Sequence, residues 1–482
     1  MNSISPPLRR GMKQLERSAF QKIVTTWAIQ VPIKKVGVVV KNFSDYLFNQ
    51  PRLRNVEPDP NNKENKIVLL KLDLDKIDDL PVDKLDFLKK EHFEVVKHTI
   101  ELDYAYWSTE QILHAVMPED FTDIPSSFTQ VGHIAHMNLR DQYLPWKHLI
   151  GQVILDKNKA IKTVVNKTDN IDTTFRFFKM ELLAGEDNMI AEVKESGCRF
   201  NFDFSKVYWN SRLHTEHDRL IQLFKPTDFV CDVFAGVGPF AIPSAKKGTT
   251  VYANDLNPVS HQYMLRNIQL NKIKPDRIFP YNLDGRAFIR QAVKDLHNAR
   301  LQQNNNESDW KTFDHFVMNL PATAIEFLDT FRGLFYEYKG AFLTAKVETR
   351  KLPTIHCHCF TKDTENPLED IAQRIADRMG EKPDLGKTVL HWVRNVAPKK
   401  DMYCISFPLS HEVAFAAPSS IRYMFSNFWI VRIMKSPLLT FFFFCIVYSS
   451  NFIAINVNCP SRKLMRLQIV AVIKSSVPNE NQ

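Results

Sequence analysis

Apolar residues in this chain gather in short runs that end on glycine, asparagine, aspartate or proline, the pattern of buried strands feeding loops. Residues 230–271, VCDVFAGVGPFAIPSAKKGTTVYANDLNPVSHQYMLRNIQLN, read as a strand, a glycine turn, a helix and a second strand ending on Asp255. A third apolar segment precedes NLDGRAF (Asn282 to Phe288), and HFVMNLPA (His315 to Ala322) reads as a fourth strand ending on Asn319, Leu320 and Pro321. KTVLHWVRNVAPKKDMYCISFPL, 387–409, predicts an antiparallel hairpin that closes the sheet. Between the third and fourth strands the Asn- and Gln-rich stretch Leu301 to Ser308 predicts a solvent loop.

Toward the N-terminus the runs TWAIQVP and KVGVVV predict strands, and the charged segment Glu57 to Lys66 predicts a loop. GHIAHMNLRDQYLPWKHLIGQVILDKN alternates and then runs continuously apolar, which predicts strands of a small mixed unit. The length of 482 residues exceeds what one core supports and implies about three units.

The strand order carries chemistry, because strand ends at one edge of a parallel sheet form a ligand crevice. Gly236 and Gly238 allow a sharp turn beneath a ligand, and Pro239 fits the first turn of the next helix. Asp255 lies 23 residues after Asp232, at the end of the second strand, where a carboxylate accepts both hydroxyls of a ribose. The third glycine of the dinucleotide fingerprint is replaced by Ala241, and no second glycine patch offers to hold a pyrophosphate. A mononucleoside donor, S-adenosyl-L-methionine, therefore fits better than a nicotinamide dinucleotide. On the later strands Asp284 is placed to accept from the adenine amino group and Gly285 to approach the ring. Asn319 is placed to face the sulfonium or the substrate base, and Pro321 stiffens its loop.

Charge adds a polyanion as partner without proving one. Lys plus Arg number 63 against 54 for Asp plus Glu, a net of +9 with a pI near 9.0. Seven cysteines without a CxxC pair fit reduced thiols and exclude a disulfide-built secreted protein. HCHCF (His356 to Phe360) places His356 and His358 on one face of a strand and Cys357 and Cys359 on the other, so the four do not converge on one ion. It reads as a core strand, and no metal is expected.

DVFAGVGPF, NDLNP, NLDGR and MNLP, preceded by FRFFKMELLAGE and VYWNSRLHTEH, resemble the eukaryotic and archaeal tRNA (guanine(37)-N(1))-methyltransferase family, over roughly residues 15 to 410. The resemblance implies an α/β fold: a class I, Rossmann-like methyltransferase domain with two smaller N-terminal α+β domains. Its boundaries fall at 1–14 for a basic extension, 15–95 for tRNA recognition, 96–164 for a linking domain, 165–410 for the catalytic domain and 411–482 for an atypical tail. The implied reaction moves a methyl group from S-adenosyl-L-methionine to N1 of guanosine 37 of tRNA, a step that can precede wybutosine formation and supports the reading frame. The implied enzyme is a monomer with no obligatory protein partner, working in cytoplasm, nucleus and mitochondrial matrix.

Guanine N1 carries a proton and is a poor nucleophile, so the transfer needs a base for that proton and a cation or donor for the charge growing on O6. Glu216 and Arg176 match the family's positions for these roles. A glutamate is a weak base at its reference pKa of roughly 4.3, so the site has to raise it by partial burial. Arginine stays protonated and suits the anionic oxygen. His217, Phe234 and Leu256 match cofactor contacts, with Gly236, Gly238, Asp255, Asp284, Gly285 and Asn319; a helix-surface role for His217 stays open. Arg140 has two readings, an RNA contact or a structural salt bridge.

Two other functions stay open: a wybutosine-pathway transferase that moves the aminocarboxypropyl group on the same fold, and a non-catalytic RNA binder, whose sign would be loss of Glu216, Arg176 or Asp255. All three residues are present. Arg9, Arg10 and Lys13, with no acidic residue before Glu16, fit a mitochondrial presequence, although Pro6-Pro7 would interrupt its helix. The uncharged run LLTFFFFCIVYSSNFIAINV, residues 438–457, meets the length of a membrane span but carries Ser449, Ser450, Asn451 and Asn456. It reads as an extension without function rather than an anchor.

Overall fold

A computed structural model describes residues 4–168, 179–303, 310–346 and 350–417, with strand segments at 435–436, 439–440, 442–448 and 451–457. The chain forms two compact units: Met1–Pro226 with Ala235–Thr249 and Ala253–Asn282, and Thr227–Phe234 with Thr250–Tyr252 and Leu283–Gln482.

The first unit opens with an antiparallel sheet in the order β2-β3-β1-β4, formed by β1 (Lys22–Pro32), β2 (Val56–Pro58), β3 (Asn65–Leu69) and β4 (Val95–Leu102). Both faces of this sheet are buried, and the period of two sorts its residues. Val24, Ala28, Ile67 and Leu69 enter one core, while Ile29, Val31 and Val68 enter another with Leu70, just past β3. The second core is closed by α1 (Val36–Asn42) and α2 (Val82–Glu91), which supply Val39 and Leu88. The KVGVVV run is thus a helix, not a strand. Pro32 ends β1, and of these valines Val39 is fully buried while Val36 and Val40 pack partly buried against the same core, the spacing of one helix face.

The first core is shared with α3 (Thr109–Val116) and α4 (Lys147–Lys157), and with β6 (Ile134–Met137) and β7 (Thr163–Lys167). With β5 (Thr129–Val131) and β8 (Met180–Gly185) these two strands make a sheet in the order β5-β6-β7-β8. The apolar run in KHLIGQVILDK is α4, again not a strand; its Leu149, Ile150, Val153 and Ile154 are buried, and His148, Gln152 and Asp156, four residues apart, line the other face. The loop expected at Glu57 to Lys66 holds between β2 and β3, which take its end residues. Residues assigned to a separate extension are part of this core: Ile4 is buried, the Arg9 N–H donates to the Ala115 carbonyl at 2.8 Å, and Arg10 donates to the His114 and Met117 carbonyls at the end of α3. β4 begins at the 95/96 boundary and β7 runs across the 164/165 boundary.

β9 (Ile190–Glu195) and β10 (Cys198–Asp203) form a hairpin whose turn residues Ser196 and Gly197 both have positive φ, as a two-residue turn requires. α5 (His214–Leu223) follows. Then come β11 (Phe229–Asp232), α6 (Ala241–Lys247), β12 (Thr250–Asn254), α7 (Pro258–Leu270), β13 (Ile278–Tyr281), α8 (Gly285–Gln303), β14 (His315–Met318), α9 (Lys339–Thr344), β15 (Thr354–Thr361), α10 (Pro367–Met379), β16 (Val389–Ala397), β17 (Lys400–Pro408) and α11 (His411–Ala414). The sheet order is β13-β12-β11-β14-β15-β17-β16. β14 runs parallel to β11 and β15, and the β16–β17 hairpin enters antiparallel as expected. Strand order reverses between β11 and β14, the switch point at whose carboxyl edge such sheets bind ligands.

Pro239 stands two residues before α6 rather than in its first turn. α8 extends to Gln303, so the first part of the Asn/Gln-rich stretch is helical; residues 304–309 lie outside the described residues. HCHCF is buried on both faces of β15, where His356 lies 3.0 Å from His315 and 2.7 Å from the Ser406 hydroxyl. The second unit's core continues past 410: Gly333 and Phe335 donate to the Val413 and Ala414 carbonyls, and Phe415 packs on Phe342 at 4.9 Å. In the tail, Phe442–Tyr448 pairs antiparallel with Asn451–Val457, and among the described residues no helix is long and apolar enough to cross a membrane.

Candidate active site

The loop after β11 is shaped by two glycines. Gly236 has φ of 57°, and a Cβ there would meet nothing within 4 Å, so its backbone conformation rather than crowding calls for glycine. Gly238 has φ of 99°, and its Cβ would stand 2.6 Å from the Ile242 side chain at the start of α6. The loop is tied to Asp255, just past β12: the Gly236 N–H donates to Asp255 Oδ2 and the Asn257 N–H to Oδ1, each at 2.9 Å. Burial pushes the Asp255 carboxyl up to about 6, against the pull of those two hydrogen bonds. No cation is needed to seat this acid; main-chain dipoles do so. Leu256 follows as a 48% exposed apolar side chain, its carbonyl accepting from Asn282 Nδ2 at 3.1 Å.

In the second unit Phe234 meets Phe327 edge to face at 5.0 Å. Gly285 opens α8 beside both rings, and a Cβ on it would come within 3.0 Å of Phe234 and 3.1 Å of Phe327. Asp284 is exposed and caps α8, accepting from the Arg286 N–H at 2.9 Å and the Ala287 N–H at 3.3 Å, a structural task the motif did not reveal. Phe327 is held from behind by Arg286, whose guanidinium lies 4.5 Å from the ring and pairs with Asp329. Asn319 follows β14, and its Oδ1 is buried without a hydrogen-bond partner. Such an acceptor is costly unless a ligand donor or positive charge meets it. Pro321 fixes the turn, its carbonyl accepting from the Phe360 N–H at 3.2 Å.

α5 carries Glu216 and His217 in its first turn, where free N–H groups favour a carboxylate. Glu216 is 2% exposed and is gripped by Arg219 through two hydrogen bonds, Nε to Oε2 at 2.7 Å and Nη2 to Oε1 at 2.8 Å. His217 is buried as well, not on the helix surface; its Nδ1 shares a hydrogen bond with Glu195 and its ring packs on Phe240 at 4.5 Å. Arg176 lies outside the described residues. Arg140 pairs with Asp123 at 3.2 Å, both largely exposed.

Within the first unit a carboxylate seated by backbone N–H groups suits ribose hydroxyls, and a glycine at positive φ has open space over it; within the second, Asn319 carries an orphaned buried amide oxygen. Arg219, Glu195 and Phe327 escaped the sequence reading. For Arg219 a signal existed, the i,i+3 spacing from Glu216 in TEHDR; for Glu195 and Phe327 none did, since tertiary packing alone brings them to His217 and Gly285.

The TRM5/TYW2 methyltransferase domain family matches residues 191–375, and the TYW2 N-terminal domain family matches residues 109–188. A tRNA (guanine(37)-N(1))-methyltransferase of Batrachochytrium dendrobatidis is 46% identical over 445 residues, covering 86% of this chain and 92% of that protein. The chain belongs to the tRNA (guanine(37)-N(1))-methyltransferase family. A second member, from Schizosaccharomyces pombe, is 45% identical across 85% of this chain and 96% of its own. The crystal structure of Trm5b from Pyrococcus abyssi, 25% identical, covers 80% of this chain and 99% of that one at a TM-score of 0.52. The family places the sheet as a class I methyltransferase sheet with N-terminal domains attached.

Proposed function

We propose that this chain transfers a methyl group from S-adenosyl-L-methionine to N1 of guanosine 37 in tRNA. The observation that carries it is the near full-length identity of 43–46% to proteins named for that reaction, joined to a loop and carboxylate that fit the donor. When bound, the donor supplies an electrophilic methyl group. Asp255 would receive the ribose hydroxyls, Gly285, Phe234 and Asp284 would hold the adenine end, and the Asn319 amide oxygen would take a donor or positive charge. Glu216 accepts the N1 proton; the N1–H bond breaks as the N1–methyl bond forms, and S-adenosylhomocysteine is left with one proton to be released. Glu216 is buried and held by Arg219 through two hydrogen bonds. Arg176 meets the charge on O6.

tRNA is the macromolecular partner, and the enzyme acts as a monomer in cytoplasm, nucleus and mitochondrial matrix. The test is label transfer from methyl-labelled donor to two transcripts of one tRNA, differing only in guanosine or adenosine at position 37. Label in the guanosine transcript alone supports the reading; equal labelling of both, or of neither, contradicts it.

A further inference from the structure

NLDGR ends on an arginine to which the donor reading gives no task, yet the second unit is built closely around it. Arg286 stands in the first turn of α8, next to Gly285, and reaches across to the 3-10 helix Ala324–Phe331. Its Nε donates to Asp329 Oδ1 and Oδ2 at 2.9 and 3.1 Å, and its Nη2 donates to the Glu326 carbonyl at 2.6 Å. Its guanidinium carbon lies 4.5 Å from the centre of the Phe327 ring. We propose that Arg286 is a positioning residue for the adenine of the donor, acting through Phe327, which it holds against Phe234 and Gly285. This rests on the reading of S-adenosyl-L-methionine as the donor.

The hydrogen bonds of a guanidinium lie in its plane and leave its two faces for stacking. Asp329 and Glu326 engage two different nitrogens, so the plane cannot turn, and the side it shows to Phe327 is fixed. The short helix that carries Phe327 is anchored by Ile325, Leu328 and Phe331, all buried, whereas Phe327 itself is half-buried. Phe327 meets the half-buried Phe234 edge to face at 5.0 Å, with 75° between the ring planes. A Cβ on Gly285 would stand 3.0 Å from one ring and 3.1 Å from the other, so two rings and a bare backbone make one apolar corner. A flat heterocycle suits such a corner, because it gains aromatic contact and needs a backbone that it can approach closely.

A purely structural task fits less well. The Arg286 and Asp329 side chains are 36% and 47% exposed, and an ion pair so open to water adds little to stability. What the pair adds is orientation, and its loss should be felt at the ring more than in the fold. A lysine would keep a positive charge near Phe327 but has no planar fork with which to hold Asp329 and Glu326 together.

Calorimetric titration of the full-length chain with S-adenosylhomocysteine and, separately, with adenosine tests this without tRNA. Arg286→Ala and Phe327→Leu are each expected to weaken both probes by about 3–10-fold. The double variant is expected to lose no more than the worse single one, since one residue acts through the other. In methylation assays the half-saturating donor concentration should rise by the same factor while that of tRNA stays within about two-fold, a split that general loosening would not give. Arg286→Lys should recover only part of the affinity. Melting temperatures are taken for each variant, and where Arg286→Ala melts early, Arg286→Lys and Phe327→Leu carry the cycle. Unchanged probe affinity in the Arg286 variants, or losses that multiply to about 10–100-fold in the double variant, overturns the role of Arg286 and leaves the donor reading intact. Failure of the wild type to bind either probe overturns the donor reading and the inference together.

Discussion

The turn after β12 and the first turn of α5 each present one carboxylate, and they hold it by opposite means. Asp255 is seated by two main-chain N–H groups, from Gly236 and Asn257, and burial still raises it to about 6. Glu216 is more deeply buried and is gripped by a guanidinium. Backbone dipoles position an acid with little formal charge beside it, which suits a group that accepts neutral hydroxyls. A guanidinium instead fixes the orientation of its carboxylate by two hydrogen bonds from one side chain. Residue type alone does not separate the two; their partners do.

Breaking the Glu216 side gives the largest effect. Glu216→Gln is expected to lower the single-turnover rate by about 10²–10⁴-fold while tRNA affinity stays within a few-fold, read by quench-flow and filter binding; equal losses in rate and affinity would make Glu216 a binding residue. On the other side, Asp255→Ala is expected to weaken donor binding by about 10–100-fold, the worth of one or two charge-assisted hydrogen bonds. Calorimetric titration checks it, and normal donor affinity would remove the ribose assignment.

The raised Asp255 value also has a sign. Its folded pKa of about 6 exceeds the ordinary 3.8, so the acid's contribution to stability is fully present below 3.8 and lost as pH rises through about 6. Donor binding runs the other way if the ionised form receives the ribose: affinity should fall several-fold as pH drops below about 6, and Asp255→Asn should abolish that dependence. A dependence surviving in Asp255→Asn would place the titrating group elsewhere. Smaller still, Gly236→Ala is expected to cost about 1–2 kcal/mol in thermal unfolding, because φ of 57° is strained for alanine although its Cβ meets nothing. The exposed Arg140–Asp123 pair is the baseline: Arg140→Ala is expected to change stability by less than about 1 kcal/mol.

The donor half of the site was legible in the sequence because it is local. A glycine turn and an acid at a strand end are each written within a few residues, and Gly236 and Asp255 stand where strand-and-turn reasoning places them, whereas the capping of α8 by Asp284 was not read. The proton half was less legible. Glu216 and His217 came from a family resemblance, and what makes them distinctive, burial and the grip of Arg219 and Glu195, arises from tertiary packing. In the fold, the strands around the central sheet were readable from their terminal turn residues. KVGVVV and KHLIGQVILDK were misread as strands because the run of neighbouring apolar residues outweighed the helical spacing of Val36, Val39 and Val40 and of Leu149, Ile150, Val153 and Ile154. The tail offered a membrane-length run, and its described backbone is a strand hairpin instead.

The most direct test is mass analysis of nucleosides from an unmodified tRNA bearing guanosine at position 37, after incubation with the full-length chain and S-adenosyl-L-methionine. N1-methylguanosine at that position is the predicted product. Guanosine left unchanged while donor and tRNA both bind, or an aminocarboxypropyl adduct in place of the methyl group, would contradict the account.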